Sequence, residues 1–115
     1  VTMQRLPKRL VSGSQIAASA TTYYTTPANT KTTIAACTLT NTTAGAITAT
    51  MHLVPTGGTA GADNCILSAR TIAAGESYNV ASAIGQTLEA GGTIQALAGS
   101  ATSITLVASG YETNP

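Results

Sequence analysis

Phenylalanine and tryptophan are absent, and four tyrosines are the whole aromatic content of the 115 residues. That removes the broad ring platforms on which sugars and unstacked bases are usually held. Charge is also scarce, at 8% of residues, where an ordinary soluble domain carries roughly 25%. With a formal net charge of +1, no global field draws the chain to nucleic acid or to an anionic membrane surface. No stretch approaches the roughly 18 apolar residues of a membrane-spanning helix. Near the start, Arg5, Lys8 and Arg9 precede a small Ala18-Ser19-Ala20. The segment between them is broken by Ser12, Gly13, Ser14 and Gln15, so it lacks the continuous apolar centre of a secretion signal. Synthesis and retention in a cytoplasm are expected, with export only as part of something larger. Cys37 and Cys65 are then expected as reduced, small buried hydrophobes.

What fills the chain instead is threonine and alanine, more than a third of all residues together. A surface of hydroxyls, amides and backbone has little repulsion to keep copies apart. It suits a subunit largely covered by neighbours. Three of the five cations lie in the first ten residues with no acid among them. Residues 1–13 read as a basic arm, with Leu6, Leu10 and Val11 available to anchor it on a neighbouring surface. Residues 14–115 read as one domain.

From residue 15 onward the period is two. Strands are predicted at 15–24, 31–40, 46–54, 65–72, 76–80, 84–88, 93–98 and 103–111, the fifth and sixth short. The stretch 46–54 is the cleanest, with Ile47, Ala49, Met51 and Leu53 on one face and Thr48, Thr50 and His52 on the other. Turn chemistry falls at Thr26-Pro27-Ala28-Asn29, Asn41-Thr42-Thr43-Ala44-Gly45, Ala74-Gly75, Ala90-Gly91-Gly92 and Gly99-Ser100. Residues 72–78 and 88–94 echo each other: an aliphatic residue, Ala-Gly, then a hydroxyl residue entering a strand. Two such corners suggest matching edges of two packed sheets. No 3.6 period runs for three turns. About eight short antiparallel strands make the expected fold all-β, a single β-sandwich of jelly-roll type with an extended N-terminal arm.

The search for chemistry returns little. His52, on the threonine face, is expected at solvent or at an interface. His52, Cys37, Cys65 and Asp63 do not have the spacing of a zinc site. Glu76 and Glu89 sit at strand corners, where solvated charge is ordinary, rather than as a facing catalytic pair. There is no Gly-x-Ser-x-Gly elbow, and Gly57-Gly58-Thr59-Ala60-Gly61 lacks the Lys-Ser/Thr ending and following helix of a phosphate-binding loop. Tyr23, Tyr24, Tyr78 and Tyr111 are expected as core or interface wedges. No enzyme activity, metal or cofactor is expected. Loops as long as 55–64 without structure of their own are often functional. In that loop Thr56, Gly57, Gly58, Thr59 and Asp63 are candidate partner contacts, as are Arg5, Leu6, Lys8, Arg9 and Leu10 of the arm.

Several stretches taken in order carry a resemblance. They are Tyr24-Thr25-Thr26-Pro27-Ala28-Asn29-Thr30, Leu39-Thr40-Asn41-Thr42-Thr43, His52-Leu53-Val54-Pro55, Gly57 to Gly61, Ile72 to Glu76, Leu88 to Gly91, and Ser109-Gly110-Tyr111-Glu112. From Tyr23 to Glu112 the chain resembles small structural proteins of tailed bacteriophages. The resemblance implies a virion component, either a capsid decoration (cement) protein on the outer shell or a tail or fibre component, including a receptor-proximal adhesive module. It implies synthesis in the host bacterial cytoplasm and a final place on the capsid surface. The implied partners are the major capsid protein and further copies of the chain, a trimer ahead of a dimer, with neither nucleic acid nor membrane. The arm's Arg5, Lys8 and Arg9 would pair with coat carboxylates while Leu6 and Leu10 fill apolar notches.

Overall fold

The alternation of threonine with aliphatic residues produces two packed antiparallel sheets in a computed structural model that describes residues 4–114. The strands are β1 (Gln4–Gln15), β2 (Thr21–Thr25), β3 (Lys31–Asn41), β4 (Ile47–Val54), β5 (Cys65–Ile72), β6 (Ser77–Asn79), β7 (Thr87–Leu88), β8 (Thr93–Ala98) and β9 (Ile104–Asn114). One sheet runs β1-β9-β3-β6, with β7 also on β3; the other runs β2-β8-β4-β5. Because β6 and β7 pair with successive parts of β3, they act as one interrupted strand. Counted that way, β1 pairs with β9, β2 with β8, β3 with β6 and β7, and β4 with β5. Each strand meets its counterpart from the opposite end of the chain. A single long antiparallel ribbon rolled into two sheets is the jelly roll, as the strand pattern predicted.

Between the sheets lie Ile34, Cys37 and Leu39 of β3, Ala49 and Met51 of β4, Ile94, Ala96 and Ala98 of β8, and Ile104, Leu106 and Ala108 of β9, all buried. A period of two carries β4, β8 and β9; in β3 the register shift between Ile34 and Ala36 breaks it, so Ile34 joins Cys37 and Leu39 in the core while Ala35, which strict alternation would put there, is exposed. Connections 16–20, 42–46, 73–76 and 99–103 share one end of the sandwich. Turns 26–30 and 89–92, the loop 55–64 and the described chain ends share the other. The two echoing corners each place a glycine in the left-handed region, Gly75 at φ 73° and Gly91 at φ 84°. One leads into β6 and the other into β8, in different sheets.

The N-terminal segment departs from the predicted arm. Residues 4–15 form β1, paired with β9 from Asn114 back to Thr105. Leu10 and Val11 are buried in the chain's own core rather than offered to a neighbour. Two register shifts, at Arg9/Val11 and Val11/Ser14, interrupt the ladder, and Gly13 sits at φ 129°. Those irregularities, with Pro7, erase the period that would have marked a strand. They also make β1 a poor template for further pairing at the sheet edge. The strand predicted at 15–24 is shorter, because the chain changes sheets there. Ile16 N donates to Ile104 O in one sheet and Ala98 N to Ala17 O in the other, and only Thr21–Thr25 remains as β2. Strand β9 runs on past Tyr111 to Asn114 as the partner of β1. Of the strand predicted at 84–88 only Thr87–Leu88 forms, as the short β7, after a 3-10 turn at Ala81–Ala83.

Candidate functional site

The cations of β1 alternate across its sheet. Arg5, Pro7 and Arg9 lie opposite Thr113, Tyr111 and Ser109 on the outer face; Leu6 and Lys8 lie opposite Glu112 and Gly110 on the inner one. Two of the cations already have partners within the chain. The Arg5 guanidinium lies over the Tyr111 ring, 4.2 Å from its centre, an exposed cation–π contact of about 0.5–1 kcal/mol. Lys8 Nζ is 3.2 Å from Glu112 Oε2. The same carboxylate accepts a short hydrogen bond from the Tyr24 hydroxyl, which also lies 2.8 Å from Thr32 Oγ1. This network ties β2 of one sheet to β1, β3 and β9 of the other. Burial, and then the bond to Glu112, push the Tyr24 hydroxyl up to about 12. Arg9 takes part in no ion pair among the described residues. Leu6 is the most exposed large apolar side chain described, at 56%. Of the five arm residues predicted to bind a partner, Arg5, Leu6 and Arg9 are displayed, Lys8 is engaged by Glu112, and Leu10 is core. Beside them a groove of about 380 Å³ crosses the outer face, lined by Pro7, Lys8, Arg9, Ala35, Ser109, Gly110 and Tyr111.

The loop after β4 folds back over the outer face of its own strand. A turn closes where Gly58 N donates to Pro55 O (2.9 Å), with Gly57 at φ 76°. Asn64, which the sequence did not single out, organises the rest. Its Oδ1 accepts from Gly61 N (3.0 Å) and its Nδ2 donates to Thr59 O (2.8 Å). His52 Nδ1 lies 3.0 Å from Asn64 Oδ1 and 3.1 Å from Gly61 O. Both partners are oxygens, so Nδ1 carries the proton and donates. His52 was expected at solvent or an interface; it is 7% exposed beneath this loop. The signal in the sequence was the one histidine of a threonine face standing shortly before an Asp-Asn pair. Among the predicted loop contacts, Thr56 and Asp63 line a cleft of about 500 Å³ at the edge formed by β4, β5 and β7, with Leu53, Ile66, Leu88 and Glu89. Gly57, Gly58 and Thr59 shape the loop and do not line the cleft. The cleft and β1 occupy opposite edges of the sandwich, so the structure does not join the two predicted contact groups.

The remaining ionisable side chains have structural partners. Glu76 Oε1 accepts from Ala73 N (2.7 Å) and fixes the corner before β6. Glu89 Oε1 lies 3.7 Å from Lys31 Nζ. Among the described residues, no three His, Cys, Asp or Glu side chains group as metal ligands. Cys37 and Cys65 are both free thiols; Cys37 is buried and Cys65 partly so. Burial pushes the Cys37 thiol up to about 12. Because the unfolded thiol ionises near 9 and the folded one near 12, unfolding releases a proton throughout that interval. Stability is therefore full below pH 9 and falls as pH rises toward 12. Cys37→Ala should flatten this fall, with Tyr24 leaving a smaller slope above pH 10. Urea denaturation of both proteins from pH 8 to 11 checks the difference; equal slopes would remove Cys37 as its source.

No family model matches the chain, and no curated protein matches it. A solved structure of infectious bursal disease virus, Gx strain, is similar over 98% of this chain and 40% of its own, at 16% identity and a TM-score of 0.35. The chain thus spans well under half the length of that neighbour. Identity and score at this level assign neither an activity nor a partner. No helix among the described residues is long and apolar enough to cross a membrane.

Proposed function

We propose that this chain is a virion structural protein of a tailed bacteriophage, a decoration subunit that lies on the outer shell and clamps neighbouring coat subunits. The observation that carries this reading is the outer face of the β1-β9-β3 sheet. Register places Thr33 beside Tyr111, Ala36 beside Ser109, Thr38 beside Val107 and Thr40 beside Thr105 on that face. It is a broad patch of small, mostly half-buried residues without a charge, bordered by Arg5 on Tyr111 and by Arg9. Covering such a face strips no ion of water and immobilises few long side chains, the two main costs of association. The Arg–Tyr border supplies the residue types that dominate interface energetics. Many copies on one lattice would make shedding slow although each contact is modest. The major capsid protein is the partner in this reading, and the work is mechanical rather than catalytic.

Inserting a charge at the centre of the patch tests it. Thr38→Glu or Val107→Glu should leave the fold unchanged by circular dichroism and lower occupancy on particles lacking the protein about tenfold or more, read by co-sedimentation. Unchanged occupancy would contradict the proposed face. Attachment at a few tens of sites per particle or fewer would instead favour a tail or fibre component.

A further inference from the structure

We propose that His52 and Cys65 form a binding site for one soft monovalent metal ion, Cu(I), on the outer face of the β2-β8-β4-β5 sheet. The site stands whether or not the chain sits on a shell.

A bulge brings the two side chains together. Met51 of β4 faces Leu67 of β5, but the next residue, His52, faces Cys65. The skipped residue is Ile66. It packs toward the core together with Leu67, and Cys65 is left on the outer side opposite His52. Bulges re-aim side chains in this way. Directly opposed residues hold their Cβ atoms about 4.5–5.5 Å apart, close enough for an imidazole and a thiolate to share one ion. Both residues line an open hollow of about 460 Å³, with Thr50, Ala62 and Ser68 beside them.

His52 is oriented as a ligand. It is 7% exposed, and its Nδ1 donates to Asn64 Oδ1 and Gly61 O. Metal-binding histidines characteristically give the other ring N–H to such an oxygen, which fixes the tautomer. Nε2 is then unprotonated, and it makes no hydrogen bond among the described residues. Gly61 and Asn64 do not line the hollow, so the side of the ring turned to it is the side that carries Nε2. Among the described residues, Thr26 Oγ1 alone is a sealed side-chain polar atom without a partner; Nε2, also unpartnered, therefore keeps contact with solvent. Cys65 is half-buried, and its thiol donates to Leu67 O (3.3 Å). Binding replaces the S–H bond with a sulfur–metal bond, releases the proton to water and turns Sγ from that carbonyl toward His52.

The donor set selects the ion. Structural zinc takes four ligands, and calcium and magnesium take carboxylates. No carboxylate lines the hollow, and Thr50 Oγ1 already accepts from Ala69 N (2.9 Å). One thiolate and one imidazole suit Cu(I), for which thiolate is a preferred donor. Of the residues whose spacing excludes a zinc site, the structure seals Cys37 in the core with its Sγ 3.7 Å from Met51 Sδ. It places Asp63 in the separate cleft at the sheet edge. Only His52 and Cys65 are joined.

Anaerobic titration of the full chain with Cu(I), in competition with the chromophoric chelator bicinchoninate, tests the site. The wild-type protein should bind one equivalent. Cys65→Ser and His52→Asn should each weaken binding about a hundredfold or more, since even an outer-shell partner is worth roughly 10–100-fold. Asparagine keeps an amide near the Nδ1 position for the loop, and circular dichroism checks the fold of both variants. Cys37→Ala should bind as the wild type does. Ag(I), a redox-silent substitute, gives a readout on the unmodified chain: in nitrogen NMR spectra the His52 Nε2 resonance should move on its addition while Nδ1 keeps its proton. Absence of saturable binding, binding indifferent to His52→Asn (a thiol acting alone), loss of binding in Cys37→Ala (the buried sulfur pair), or an unmoved Nε2 resonance would each overturn the site.

Discussion

Gly110→Ala is expected to destabilise the fold more than any other single-methyl change in the chain. Gly110 lies at the middle of the three-stranded part of its sheet, opposite Lys8 of β1 and Ile34 of β3. Strand β3 has a register shift between Ile34 and Ala36, which carries its backbone toward Gly110. A Cβ at this position would overlap the Thr33 carbonyl oxygen and come within 3.0 Å of Ile34 Cα. Both obstacles are main chain held in a ladder, so no side chain can turn aside. Overpacking against a fixed backbone costs about 3 kcal/mol or more. In a chain of this size that lowers the melting temperature by on the order of 10 °C. Gly45→Ala is the control, since a Cβ there meets nothing within 4 Å. Melting curves for the two variants should separate widely. A Gly110→Ala curve near that of the wild type would mean that the Ile34 irregularity does not press β3 against β9.

Asn41→Ala should produce the second large loss, by removing a fully buried polar hub. Asn41 ends β3, and its side chain is 0% exposed. Its Nδ2 donates to Gly45 O (2.8 Å) and Ile72 O (2.9 Å). Its Oδ1 accepts from Thr43 N (2.9 Å) and Thr43 Oγ1 (2.7 Å). Its own backbone N–H donates to Glu76 O, and its carbonyl accepts from Gly75 N. One residue therefore fastens both the 42–46 and the 73–76 connections. Leaving buried carbonyls and an amide without partners costs about 1–3 kcal/mol each where water cannot replace the bond. The expected total is about 3 kcal/mol, below the sum, because both connections lie at the surface and can admit water. Asn41→Asp separates the two halves of the hub. It keeps both acceptor contacts but faces two carbonyl oxygens with a carboxylate, so it should be at least as damaging as alanine at neutral pH. Chemical denaturation reads both; a loss under about 1 kcal/mol for either would show that the connections hold without the amide.

Where each residue contributed one clear preference, the sequence alone was enough. The strands at 46–54 and 93–98 alternate because each has one face on the core, and Met51 and Ile94 declare it; the strand at 31–40 does so only from Cys37 onward, because the register shift between Ile34 and Ala36 exchanges Ala35 for Ile34 in the core. The paired corners declare their glycines, and both Gly75 and Gly91 adopt positive φ. Strand β1 was illegible for the opposite reason. Its bulges place Leu10 and Val11 side by side in the core and Leu6 in the open, so no period survives. Its partners on β9, from Asn114 opposite Gln4 to Thr105 opposite Gln15, lie at the far end of the chain and are invisible to any local window. His52 and Asn64 were missed for a related cause. A loop that folds back to cover its own strand leaves no periodic trace, and only the hydrogen bonds reveal that the outer face is buried. Asn41 reads as turn chemistry, yet it is the last residue of β3, and its burial depends on two connections converging from distant parts of the chain.

As a proposed multicopy subunit on a phage shell, this jelly roll would present the uncharged outer face of its β1-β9-β3 sheet to the coat. Stoichiometry tests that role most directly: the ratio of this chain to coat protein in purified particles, measured by quantitative mass spectrometry. The expected ratio is of the same order as the coat lattice and falls sharply in particles assembled with Thr38→Glu. A chain absent from particles, or present at the same ratio with and without that charge, would contradict that role.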